Sequence, residues 1–194
     1  MDLDVCIDDA GNAYLGHSSE YHAKSGEAFF QSLSFCDVIE RIAHSTIVVM
    51  IDCKHYGAWP VIEETVDRLG PKRCLVSSFV SELKFGHSRA DGEPDFLTER
   101  VGIEKLAELK RRFPAVTTNA CTKWPPKDLL VAAKYEPLVG FIRHLLKGHR
   151  IDTVCLSVPF ETLTNRWLRY FLADGIVPHS EVDRASTAEL TQPY

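Results

Sequence analysis

The chain has 194 residues, 45% hydrophobic and 25% charged, an ordinary globular composition with length enough for one large core. Its net charge of -5, with lysines and arginines scattered rather than massed, lacks the electrostatic footprint of a nucleic-acid binder, so nucleic acid is set aside as a partner. No apolar run nears the roughly 18 residues a membrane span needs, and the start Met1-Asp2-Leu3-Asp4 lacks the basic and then apolar order of a signal peptide. The expectation is a cytoplasmic chain with a single domain over residues 1–194 and no transmembrane segment.

In chain order, β-rich runs occupy residues 3–7, 13–17, 46–53, 73–79, 115–121, 153–158 and 176–182. The first two flank Asp8-Asp9-Ala10-Gly11-Asn12, whose composition predicts a hairpin turn. Apolar residues at helical spacing fill 34–45, 59–70, 101–114, 128–150 and 162–175; Ile62, Val66 and Leu69 mark one buried stripe, and Ile103, Leu106 and Leu109 another. Gly70-Pro71 and Phe113-Pro114 punctuate two helix ends. The polar stretch 87–99, carrying Gly92 and Pro94, reads as a long loop of the kind that lines active sites.

Alternation of strand and helix predicts an α/β fold with a parallel sheet, and the apolar run 47–51 suits a strand covered on both faces. Because no glycine-rich phosphate loop is present, a closed (βα) TIM-type barrel is favoured over an open doubly wound sheet. A closed barrel takes eight parallel strands and ~250 residues. Seven runs, the first two forming one hairpin, predict an incomplete barrel with its first and last strands missing, either a fragment of a longer protein or an open barrel with incomplete chemistry.

The six cysteines, at 6, 36, 53, 74, 121 and 155, form no C-x-x-C pair and do not have zinc-site spacing. They read as small core residues in a reducing compartment rather than as disulfides or catalytic thiols.

Asp2 and Asp4 stand two apart in an extended run, so their side chains leave on one face. Asp52 and Lys54 repeat that spacing at the end of the most buried run. A carboxylate facing a core must be paired or bound to metal, and three of them beside a lysine suggest a hard cation, Mg²⁺ or Ca²⁺, held by oxygen. The plain structural alternative is an ion pair of Lys54 with Asp4 or Asp52. The hairpin would bring His17 to the acidic pair as a general acid or base. Ser77 and Ser78, Asn119 and Lys123 sit near strand ends where a substrate phosphate could be gripped, and His179 shares a face with Glu181 and could line the same mouth. His55 should point away from Lys54; His44, His144 and His149 fall in helical patterns, and His22 and His87 in loop-like text.

In order and spacing, LDVCIDDAGNAYLGHS, VVMIDCKH and RCLVSSF resemble the acidic strand, histidine-bearing hairpin, acidic-x-Lys strand and Ser-Ser-Phe strand of the glycerophosphodiester phosphodiesterases. The Asp52-Cys53-Lys54 triplet is more similar to the related sphingomyelinase D-type phospholipases. The resemblance covers residues 1–85. It implies a βα-barrel that cleaves phosphodiesters with a divalent metal and two histidines. Carried over by position, Asp2, Asp4 and Asp52 would be metal ligands, Lys54 an electrostatic clamp on the phosphate, and His17 one of the acid/base pair. The implied substrate is a small phosphodiester or a phospholipid head group. Two departures accompany it: the family's first strand, with its other catalytic histidine in a His-Arg-Gly context, has no counterpart here, and Asp2 stands where many members have glutamate.

Three functions follow as expectations. The first is a metal-dependent phosphoric diester hydrolase, with the missing histidine supplied upstream or replaced by a group such as His179. The second is a catalytically incomplete relative that binds a phosphorylated ligand or a protein. The third makes Lys54 a Schiff-base nucleophile, which three nearby carboxylates disfavour because they stabilise the ammonium.

Overall fold

The structure is a computed structural model that describes residues 1–17, 33–81, 101–123, 136–157 and 165–179. Among these residues strands and helices alternate: β1 (Asp2–Ile7), β2 (Ala13–Leu15), α1 (Phe35–Ile42), β3 (Val49–Cys53), α2 (Trp59–Leu69), β4 (Cys74–Ser81), α3 (Val101–Arg112), β5 (Thr117–Lys123), α4 (Glu136–Gly148), β6 (Thr153–Ser157), α5 (Asn165–Ala173) and β7 (Val177–His179). The chain is α/β, and β1–β3, β3–β4, β5–β6 and β6–β7 all pair in parallel, with β2 antiparallel to β1. No described helix is long and apolar enough to cross a membrane. The loop expected over 87–99, the start of the helix expected from 128 and the end of the strand expected to 182 lie outside the described residues, as do His22, His87 and Glu181.

Two compact units make up the chain. The first comprises Met1–Ser78 with Lys105–Thr118, and the second Phe79–Glu104 with Asn119–Tyr194.

In the first unit the expected hairpin forms. Asp8 closes its turn, its Oδ1 accepting from the backbone N–H of Ala10 at 3.0 Å and of Asn12 at 2.7 Å. Gly11 takes the left-handed φ of 87° that this turn demands. Parallel pairing then sets two kinds of row across the strands. Val5, Cys53 and Ser78 form one row and Leu3, Ile51 and Val76 another, all at most 5% exposed. This is the apolar face, and successive βαβ crossovers in one direction place their helices on one side of such a ladder. Buried stripes on this unit's helical residues match it: Phe35, Ile39 and Ile42 on α1, Ile62, Val66 and Leu69 on α2, and Leu106 and Leu109 on the part of α3 from Lys105 on. The opposite face carries Asp2, Asp4, Met50, Asp52, Leu75 and Ser77.

β3 starts at Val49 rather than at 46, leaving Ile47 and Val48 exposed. The reason is register: β1 begins opposite Met50 and β4 opposite Val49, so residues 46–48 have no strand to pair with. Arg73 gathers the segments around them. Its guanidinium donates to the carbonyls of Ile42 and Ala43, both at 3.0 Å, and to that of Ile47 at 3.2 Å, satisfying acceptors left over at the end of α1.

In the second unit β6 lies between β5 and β7, with Asn119 opposite Thr153, Cys121 opposite Cys155 and Cys155 opposite His179. Asp174, just after α5, is held by Arg143 Nε and by Lys147 Nζ at 2.9 Å, two residues one turn apart on α4. A carboxylate at a helix C-terminus is unfavourable by itself, and these two cations offset it. Their hydrogen bonds and charges hold the Asp174 carboxyl down to about 2, well below the roughly 3.9 of a free aspartate. The native state therefore binds fewer protons between those values, and this clamp contributes stability above about pH 4 that is lost as pH falls towards 2. Urea melts should accordingly show Asp174→Asn less stable than the parent at pH 7, with the gap closing below pH 4; a gap that persists unchanged near pH 2 would contradict the clamp.

Candidate functional site

The hairpin delivers His17. Tyr14 pairs with Cys6 and Leu15 with Val5, and the Gly16 N–H still reaches the Asp4 carbonyl at 2.9 Å. Strict alternation would set the next residue opposite Leu3, facing the apolar side. Gly16 instead takes a φ of 134°, a backbone region that favours glycine, and the chain leaves the pleat. His17 Nε2 thus stands 3.0 Å from Asp4 Oδ2, each side chain 32% exposed. Tyr14 Oη donates to the His17 carbonyl at 3.1 Å and fixes the backbone there. Burial and the neighbouring Cys6 push the Tyr14 phenol far up, so it stays a neutral donor.

Parallel register places Asp4, Asp52 and Ser77 in one row across β1, β3 and β4. Lys54 follows β3, its N–H continuing the ladder onto the Val5 carbonyl at 2.9 Å. Its ammonium returns over the row, 2.6 Å from Asp52 Oδ2 and 3.4 Å from Asp4 Oδ1. Burial alone would lower the lysine pKa, but the charge and hydrogen bond of Asp52, joined by those of Asp4, carry it above the ordinary value. Lys54 is accordingly a fixed cation and not a neutral amine, which removes the condition a Schiff-base nucleophile needs. Asp2 feels the opposite balance. Burial, then the charges of Asp4 and Asp52, raise its pKa, with Lys54 offsetting part of the effect.

The carboxylate cluster therefore carries more negative charge than Lys54 neutralises. Asp52 is 7% exposed, and its Oδ1 is buried with no hydrogen-bond partner among the described residues. A buried carboxylate oxygen without a donor is costly, and it fits a position where a cation or a substrate proton donor belongs. The carboxylates of Asp4 and Asp2 that neighbour it are oxygen donors of the kind a hard divalent ion such as Mg²⁺ or Ca²⁺ takes. As the side chains stand, however, no group of three or more His, Cys, Asp or Glu is arranged to hold a metal among the described residues; Lys54 occupies the span between Asp4 and Asp52.

Asp2, Asp4, Asp52, Lys54 and His17 are thus one neighbourhood. Ser78 is not on their face: it pairs with Cys53 in the apolar row, and Ser77 takes the place beside Asp52. Ser77 is fully buried there, and Tyr14 is the polar group beside the site that the sequence pattern does not single out. His55 caps the turn after β3, its Nδ1 accepting from the Gly57 N–H at 3.1 Å.

Asn119, Lys123 and His179 belong to the second unit. Asn119 is fully buried, its Oδ1 accepting from Thr153 Oγ1 at 2.7 Å and meeting His179 Nε2 at 2.9 Å. Lys123 ends β5 opposite Ser157.

No protein-family model and no curated protein matches the chain, so the site is read from its chemistry. The raised pKa of Asp2 gives that reading a direct consequence. A raised native pKa means that its charge opposes folding: the favourable contribution is complete below about pH 3.9 and is lost as pH rises through the native value. Asp2→Asn should therefore raise the urea midpoint at pH 7 in a chelator, with no gain at pH 3; a lower midpoint at pH 7 would show that the carboxylates do not repel one another.

Proposed function

We propose that the Asp4–Asp52–Lys54–His17 cluster is the centre of a metal-assisted phosphoric diester hydrolase built on a βα-barrel scaffold, acting on a small phosphodiester or a phospholipid head group. The observation that carries this reading is the buried, unpartnered Oδ1 of Asp52 beside an ammonium held between Asp52 and Asp4, with an imidazole on Asp4. Such a site combines a fixed cation, a hydrogen-bonded acid/base group and vacant acceptor capacity on one strand face.

Each residue has a part in phosphodiester chemistry. Asp52 through Oδ1, with Asp2 and Asp4, would hold a divalent cation, which when bound neutralises charge on the phosphoryl oxygens. Lys54 opposes the remaining negative charge as it develops, and its two carboxylates keep it protonated for that role. His17, oriented by Asp4 Oδ2, moves a proton to or from the ester oxygen.

A second reading is favoured by one observation. Hydrolysis asks for both an acid and a base, and His17 is the imidazole paired with this cluster among the described residues. A phosphodiester-binding module without turnover would need only the cations. The two are separated by incubating the protein with Mg²⁺ and either glycerophosphocholine or bis(p-nitrophenyl) phosphate and measuring released alcohol. Hydrolysis is expected, with His17→Ala slowing it by about 10²-fold or more and Lys54→Met by a similar factor of about 10². Calorimetric binding of the diester without turnover would favour the binding module, and neither binding nor turnover would overturn both.

A further inference from the structure

The second unit holds a cluster with different chemistry. Cys121, Cys155 and His179 are successive partners across β5, β6 and β7, so their side chains share one face in one row. Asn119 organises it from beneath. Its Oδ1 can only accept, which makes His179 Nε2, 2.9 Å away, the ring nitrogen that carries hydrogen. The basic lone pair of the neutral imidazole is then on Nδ1, on the ring of Cys155's own ladder partner. Asn119 Nδ2 donates to Cys121 Sγ at 3.6 Å, and an N–H aimed at sulfur stabilises negative charge there. Thr153 Oγ1, donating to Asn119 Oδ1 at 2.7 Å, completes the set.

We propose that Cys121 and Cys155 form a redox-active dithiol that reduces a small hydroperoxide, with His179 as the proton acceptor for Cys155 and Asn119 as the residue that positions both. Neighbouring strands lie about 4.8 Å apart, inside the Cα separation of about 4.4–6.8 Å that a disulfide spans. Ladder pairing thus meets the Cα condition for a Cys121–Cys155 disulfide. In the first step His179 takes the Cys155 proton. The thiolate attacks the outer peroxide oxygen, an S–O bond forms, the O–O bond breaks, and the leaving alkoxide takes the proton back to depart as an alcohol. In the second step Cys121 sulfur attacks the sulfenic sulfur; the S–S bond forms, the S–O bond breaks, and water leaves with the Cys121 proton. The dithiol gives up two electrons, and the hydroperoxide becomes alcohol and water.

Burial selects the reagent. Cys121 is 5% exposed and Cys155 2%, too little for a protein thiol or a bulky electrophile, so the oxidant proposed is of the smallest class, hydrogen peroxide or a short alkyl hydroperoxide. A soft-metal site is the rival use of two thiols and an imidazole, but no such ligand group is formed among the described residues. Cys53 and Cys74 supply internal references. Burial pushes their thiols up to about 12 and about 11, and their ladder partners are Val5, Ser78 and Val49 rather than cysteine.

The full chain, treated with a stoichiometric amount of hydrogen peroxide, quenched, alkylated in denaturant and mapped by mass spectrometry, tests this. A Cys121–Cys155 cross-linked peptide pair is expected, reversed by dithiothreitol, with Cys53 and Cys74 still alkylated. His179→Gln should slow its formation at pH 7 roughly tenfold and abolish the rise with pH that an imidazole base gives the parent rate around neutrality. Alkylation of both Cys121 and Cys155 after peroxide treatment would overturn the proposal. Equal rates and equal pH profiles for parent and variant would overturn the role of His179.

Discussion

An ammonium confined between two carboxylates on neighbouring parallel strands is the constraint around which the first unit is arranged. Lys54 is 14% exposed and Asp52 10% by side chain, so neither charge can rely on water. Desolvating such groups costs several kcal/mol per ion, and the cost is met only because register sets Asp4 and Asp52 side by side. Stability alone is weak grounds for keeping such a pair, since apolar residues of similar size often serve as well. Its geometry sets a fixed cation beside an imidazole and a carboxylate oxygen unpartnered among the described residues, the combination on which the proposed phosphodiester chemistry rests.

Much of this was legible in the sequence. The two-residue spacing of Asp2 and Asp4, and of Asp52 and Lys54, defines a shared face whatever the tertiary fold, because strand side chains alternate with period two. The helical stripes on α2 and α3 were equally readable, for Ile62, Val66, Leu69, Ile103, Leu106 and Leu109 are all buried. Strand ends were less so: β3 begins three residues later than its apolar pattern suggests, because pairing partners rather than propensity decide where a ladder stops.

Deciding between Ser77 and Ser78 as the polar neighbour of the carboxylates illustrates the limit more sharply. Within β4 the two serines differ only in parity, and parity acquires meaning only through the register against β3. A one-residue slip would exchange them. His17 reached the carboxylates for a reason that alternation does not contain, the left-handed turn at Gly16. The row of Cys121, Cys155 and His179 was hidden in the same way: each residue is isolated in sequence, and only the β5–β6–β7 register aligns them.

Both polar clusters thus arise from one device, a parallel ladder that places chemically matched residues opposite one another while the other face remains apolar. For the carboxylate cluster the decisive quantity is the affinity for a divalent cation. Isothermal calorimetry of Mg²⁺ and Ca²⁺ into the parent chain should show a single saturable site that is absent from Asp52→Asn, with circular dichroism confirming that the variant is folded. Undetectable binding by the parent, or unchanged binding by the variant, would contradict the account.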